Sequence, residues 1–187
     1  MRDEGTVVLC GALRESKVSK VQELDLQSND IGVAGATAIA RLCAVRASLT
    51  SCNVLYNEMD VVAAKLLADA VKEKEISLCG IKPDQTTADF NGFRTFSKLN
   101  SADAILLASD LSKAGVSAKL TSVWAPAHEP PLIFAVCPCR TLRVCPCSQL
   151  DVSNNELGPE GTKQLADAMR KAKRRRKAKA LSQSVSE

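Results

Sequence analysis

Residues 21–43 read VQELDLQSNDIGVAGATAIARLC, and residues 49–71 read LTSCNVLYNEMDVVAAKLLADAV. Laid over each other without a gap, they agree at nine positions, each pair 28 residues apart. Val21, Leu24, Leu26, Asn29, Ile31, Gly35, Ile39, Ala40 and Cys43 answer to Leu49, Cys52, Val54, Asn57, Met59, Ala63, Leu67, Ala68 and Val71. A third copy follows near the end: Leu150, Val152, Asn155, Leu157, Gly158, Gly161, Leu165, Ala166 and Met169 match Leu24, Leu26, Asn29, Ile31, Gly32, Gly35, Ile39, Ala40 and Cys43 at an offset of 126. That offset is not a multiple of 28, so irregular chain lies between.

The periods within one copy say what it folds into. Leu24-Asp25-Leu26 alternates apolar and polar, which is a short strand with one face inward. Asn29 ends the strand; a buried amide here can bond neighbouring backbone, and stacked copies (Asn29, Asn57, Asn155) form a ladder of such bonds. Gly32 and Gly35 mark the turn, and Ala36, Ile39, Ala40 and Cys43 follow at helical spacing. A strand and a helix per repeat, stacked side by side, place a parallel sheet inside and helices outside. Helices are wider than strands, so the stack curves with its sheet on the concave face.

The pattern LxLxxNxIGxxGxxxIA over residues 18–71 and 150–169, and in part over 86–122, resembles the leucine-rich repeats of ribonuclease inhibitor. Similar repeats occur in innate-immune NLR receptors and in the Ran GTPase-activating protein. The resemblance implies a right-handed α/β solenoid of about three repeats plus a leading half-repeat. It also implies a binding surface on the concave sheet, but no particular ligand.

Two interruptions bend the pattern. Asp103 to Leu111 matches the helix of Ala63 to Val71 at an offset of 40, which is 28 plus about 12, and Ala88-Asp89-Phe90 mimics Leu24-Asp25-Leu26. The extra residues are assigned to a bulge at 79–86, where Pro83 excludes a continuous ladder; the alternative is a second strand, Ile76–Gly80, paired with the stack. The second interruption, residues 123–149, holds five of the seven prolines, four of the eight cysteines, the only Trp and the only His. Excising it leaves LTSLDVSNN, an intact repeat opening. It is expected to be a disordered insert, either a loop insertion or a retained intron, since Val123 and Gln149 can encode the two splice signals. Residues 1–17 read as the helix of a half-repeat whose strand is missing, which points to a truncated N-terminus, and 170–187 as a basic helix extension with a frayed end. Barely three repeats, two interruptions and no N-terminal cap predict marginal stability.

Composition narrows the chemistry. The 187 residues are 45% hydrophobic and only 3% aromatic, so the core is built from Leu, Val, Ile and Ala. The N-terminus carries Asp3 and Glu4 and a very short apolar run, which is no secretory signal. No stretch approaches the roughly 20 apolar residues of a membrane span. A soluble, cytoplasmic protein is the expectation, with the nucleus an option through the basic tail. In that setting Cys10, Cys43, Cys52 and Cys79 read as core thiols rather than disulfides. Cys137-Pro-Cys139 and Cys145-Pro-Cys147 supply four thiols, but ligand pairs are usually two to four residues apart, so no metal is assigned. His128, among prolines, lacks a rigid frame for catalysis. No phosphate-cradling glycine loop occurs, and Gly32-Val-Ala-Gly35 is a turn. No catalytic residue, cofactor or small-molecule substrate is expected.

Two surfaces remain. Strand alternation sends Gln22, Glu23, Asp25 and Gln27, then Thr50, Ser51, Asn53 and Leu55, then Asp151 and Ser153, to the concave face, joined by Asp89 and Asn91 and by Tyr56 at a strand end. This is where a protein partner is expected. The other surface is the tail Arg170, Lys171, Lys173, Arg174, Arg175, Arg176, Lys177 and Lys179. Residues 170–187 carry a net +7 of the total +4, leaving −3 on the remainder. The tail reads as a solvated helix end, an import signal or a nucleic-acid arm. The sequence therefore favours a non-catalytic protein-interaction module. A fragment or faulty gene model of a larger repeat protein, a GTPase regulator of Ran-GAP type and nucleic-acid association stand as alternatives.

Overall fold

The computed structural model describes residues 1–82, 84–90, 98–113, 120, 122–124, 149–152 and 155–184. In chain order the elements are α1 (Asp3–Glu15), β1 (Glu23–Asp25), α2 (Val33–Val45), β2 (Ser51–Asn53), α3 (Val61–Ala70), β3 (Thr87–Asp89), α4 (Ser101–Ser112), β4 (Ser122–Trp124), β5 (Gln149–Asp151) and α5 (Gly158–Ser184). Helices and very short strands alternate as far as β4, and each helix packs on the next: α1 on α2, α2 on α3, α3 on α4 and α4 on α5.

The repeat period is the strand register. β1 and β2 run parallel with Glu23 opposite Ser51, Leu24 opposite Cys52 and Asp25 opposite Asn53, a shift of 28 at every pair. After each strand the chain turns through a left-handed residue at the same repeat position, Ser28 (φ 54°) and Tyr56 (φ 57°). Inside the turn, Leu26, Ile31, Ala36, Ile39 and Cys43 of one repeat lie buried against Cys52, Val54, Met59, Ala63 and Leu67 of the next. Asn57 joins the two. Its side-chain oxygen accepts from Asn29 N (2.9 Å) and Ile31 N (3.0 Å), and its amide donates to Leu26 O and Val54 O, each at 2.9 Å.

Of the alternative strand at Ile76–Gly80, the structure forms a single bridge, and backbone bonds extend the ladder only through Ser77 and Leu78. Ser77 bridges Ser51 in parallel, Ser77 N donates to Thr50 O (3.0 Å), and Cys52 N and Val54 N donate to Ser77 O (2.8 Å) and Leu78 O (3.0 Å). The ladder then stops for a visible reason. Asp110, fully buried on α4, accepts from Leu78 N (2.9 Å), Cys79 N (2.9 Å) and the Ser77 hydroxyl (2.7 Å), while Ile81 N donates to that hydroxyl at 2.8 Å. These donors are spent on side chains, and Gly80 turns the chain at φ +73°. Lys113 answers the buried charge, with its ammonium 3.2 Å from Asp110 and bonded to Ile76 O.

A second parallel sheet follows in the order β3–β4–β5, with Ala88 opposite Val123 and Val123 opposite Leu150. This corrects two expectations. Leu150 does not neighbour the strands of Leu24 and Cys52; it lies in the second sheet. The stretch read as an insert from residue 123 contributes Val123 and Trp124 to β4 and Gln149 to β5, because Val123 has a buried place beside Ala88. The last repeat is nonetheless attached as the first two are: Asn155 Oδ1 accepts from Leu99 N at 2.7 Å, the counterpart of the Ile31–Asn57 bond. Cys10, Cys43, Cys52 and Cys79 are buried free thiols. Cys137, Cys139, Cys145, Cys147 and His128 lie outside the described residues. Among the described residues no helix is long and apolar enough to cross a membrane.

Candidate functional site

The exposed side of the first sheet is set by strand alternation. Leu24 is half-buried and Cys52 fully buried, so their neighbours face out: Gln22, Glu23, Asp25, Gln27 and Thr50 are exposed, and Ser51 and Asn53 half-exposed. Parallel register brings Asp25 beside Asn53 and Glu23 beside Ser51. Side chains tie the row together. Asp25 accepts from Gln27 N at 3.2 Å, and Asn53 donates its amide to Gln27 Oε1 at 3.2 Å. Glu23 pairs with Lys82 at 3.2 Å, which lies beyond the Ile76–Gly80 segment. Gly80 leaves room for Asn53, since a Cβ there would stand 3.4 Å from the Asn53 Cβ.

Two residues expected on this face do other work. Leu55 is 1% exposed and belongs to the core. Alternation ends with the three-residue β2, and the left-handed turn at Tyr56 folds both Val54 and Leu55 inward. Tyr56 is half-buried: its hydroxyl donates to Phe90 O, and its N–H donates to the buried Asp103 at 3.0 Å. Burial, with nearby Asp103 adding to it, pushes the phenol up to about 12, so it stays a neutral donor.

The remaining strand residues stand on the second sheet. Asp89 is exposed at the end of β3, in register with Trp124 on β4, which is in register with Asp151 on β5. Trp124 therefore occupies the strand position next to buried Val123, as exposed Asp89 does next to buried Ala88. Its place among proline-rich neighbours hid it from the sequence reading. The signal that marks it is a strand opening, Leu120-Thr121-Ser122, that runs into Val123 as readily as into Leu150. Asn91 and Ser153 lie outside the described residues. Among the described residues no cluster of three or more His, Cys, Asp or Glu is arranged to hold a metal.

The asparagines differ in what they join. Asn57 and Asn155 each accept from the backbone of the repeat before them. Asn29 bonds within its own turn, to Gln27 O at 2.9 Å, and accepts from the Met1 amino group at 2.6 Å. The basic residues from Arg170 to Lys179 all fall within α5. Arg170, Lys171, Arg174 and Arg175 are exposed; Arg170 pairs with Asp167 at 2.7 Å, and Arg175 donates to Ser112 O at the end of α4.

A family model described as a leucine-rich repeat matches residues 19–40 and 148–166, the β1-to-α2 and β5-to-α5 units. The chain is also 33% identical over 73 residues to RAN GTPase-activating protein 2 of Arabidopsis thaliana, a stretch that is 39% of this chain and 13% of that protein. The chain thus spans a small part of the length of that relative. Repeats of this kind are suited to protein interaction, because stacking builds an extended surface from short strands. The matched units, joined by equivalent asparagine bonds to their neighbours, are leucine-rich repeats within this chain.

Proposed function

We propose that the chain is a solenoid of ribonuclease-inhibitor type that acts as a non-catalytic scaffold, binding a protein partner along the exposed side of its strands. The observation that carries this reading is the register of β1 on β2, which sets Glu23, Asp25, Ser51 and Asn53 side by side over a buried apolar row. The face is polar and mildly acidic, so a basic or hydroxyl-rich partner surface suits it. The strand position between Asp89 and Asp151 is Trp124, a residue type that binding hot spots favour. The test is affinity capture with the chain and with an Asp25→Arg, Asn53→Arg double variant of equal thermal stability. Partners that survive the double substitution overturn the reading.

A second reading, regulation of a GTPase, rests on the likeness to the Ran GTPase-activating protein. It predicts faster GTP hydrolysis by a Ran-type GTPase when the chain is added. An unchanged hydrolysis rate removes it and leaves the scaffold reading standing.

A further inference from the structure

The basic half of α5 has an organisation of its own. The helix runs 27 residues, Gly158 to Ser184, about 40 Å at 1.5 Å per residue. Its first turns are anchored. Leu165 and Ala168 are buried, and a Cβ on Gly161 would stand 2.8 Å from the Ala104 Cβ of α4. Glu160 is paired with Lys65 at 2.7 Å, and Asp167 with Arg170. Beyond Asp167 the helix contains no acidic residue, while 170–179 places eight Lys or Arg in ten positions. Like charges three and four apart repel one another within a helix. Nothing inside α5 relieves that repulsion past residue 170, so an external polyanion would.

The distribution of charge selects the polyanion. At about 100° per residue the eight positions fall all around the helix axis, with no gap wider than about 60°. A helix lying on a membrane needs an apolar face, and this segment has none. Single strands are held by stacking on aromatic rings, and α5 contains no Phe, Tyr or Trp. Eight charges over ten residues give about one per 1.9 Å of axis, close to the one negative charge per roughly 1.7 Å of a DNA duplex. A helix of about 10–12 Å diameter fits a major groove about 12 Å wide, where phosphates line both walls. We infer that residues 170–179 of α5 form a docking helix for the phosphate backbone of duplex nucleic acid, independent of the strand face and without base-specific readout.

The test uses the full chain and fluorescence anisotropy. The probes are a 20-base-pair DNA duplex, an RNA duplex of equal length, the single strands, phosphatidylserine vesicles and poly-glutamate. The variant replaces Lys171, Lys173, Arg174 and Lys177 by Gln, which keeps helix propensity and spares the contacts of Arg170 and Arg175. Duplex binding should weaken steeply with salt, and the variant should lower the log–log salt slope by roughly 3 to 4, at about 0.9 per lost phosphate contact. A charge-preserving variant, Lys171→Arg with Arg174→Lys, should bind as the parent does. Binding should favour the DNA duplex, because the major groove of duplex RNA is too deep and narrow for a helix; a preference for the RNA duplex overturns the groove docking. The inference is overturned if the parent does not bind duplex at low salt, if vesicles or poly-glutamate bind as tightly as duplex, or if the neutralised variant keeps the parent's slope while melting at the same temperature.

Discussion

Asp103 shows how one buried carboxylate can hold a turn and still lower stability at neutral pH. Its two oxygens accept from Tyr56 N at 3.0 Å and Asn100 N at 3.1 Å, fixing the chain after β2 and the start of α4. Burial pushes its carboxyl up to about 6 from the ordinary 3.8, against the pull of those two N–H donors. The unfolded chain therefore releases this proton near pH 4, whereas the folded chain keeps it until about pH 6. Its contribution to stability is full below pH 4, declines as pH rises from about 4 to 6, and is flat above that. Urea unfolding of the parent and of Asp103→Asn at pH 4, 5, 6 and 7 should show the parent's stability relative to the variant falling with pH, by ~1–3 kcal/mol across that window. A difference that stays constant would contradict the assignment. The residue was legible only as a helix position matching Ala63; that its carboxylate reaches Tyr56, 47 residues away, is a product of packing.

At the scale of elements, the ends of α1, α2 and α4 are each tied down by a cation from later in the chain. Arg46 donates to Leu13 O and Ser16 O at the end of α1, Lys74 donates to Cys43 O (2.7 Å) and Ala44 O at the end of α2, and Arg175 donates to Ser112 O at the end of α4. The last carbonyls of a helix have no partner within it, and a cation there also meets the negative end of the helix dipole. Arg46 and Lys74 are 28 residues apart, so this capping belongs to the repeat although neither is apolar. Lys74→Ala should lower the unfolding free energy by ~1–2 kcal/mol, seen as a lower denaturant midpoint at unchanged slope, with Lys74→Arg restoring most of it. An Ala variant as stable as the parent would remove the capping role. Glycines follow similar logic. Gly35 and Gly161, 126 residues apart, both sit where the preceding helix comes close: a Cβ would stand 2.7 Å from Asp3 Oδ1 in the first case and 2.8 Å from the Ala104 Cβ in the second.

For the whole molecule, the break between the two sheets decides what the surface can be. Asp110 ends the first sheet by accepting from its backbone donors from inside, with Lys113 paired to it, and the second begins at β3. The final repeat hangs on the bonds of Asn155 and Glu156 to Leu99 as well as on β4. A chain lacking 123–149 should therefore still fold, with Leu150 taking the place of Val123 beside Ala88. Its melting temperature should equal or exceed the parent's, and a loss of more than about 3 °C, ~1 kcal/mol at this size, would show that β4 is indispensable. The sequence by itself determined the repeat: apolar residues 28 apart must be buried alike, so the β1–β2 register, the exposed row from Gln22 to Asn53 and the place of Asn57 could be read from spacing alone. Tertiary structure alone decided where that row ends. Leu55 turned inward, Ser77 bridged to Ser51 at the edge of the first sheet, and Leu150 was assigned to the second. Those outcomes depend on which backbone donors a distant Asp110 satisfies and which cavity Val123 fills, and contacts between non-repeating segments leave no period in the chain.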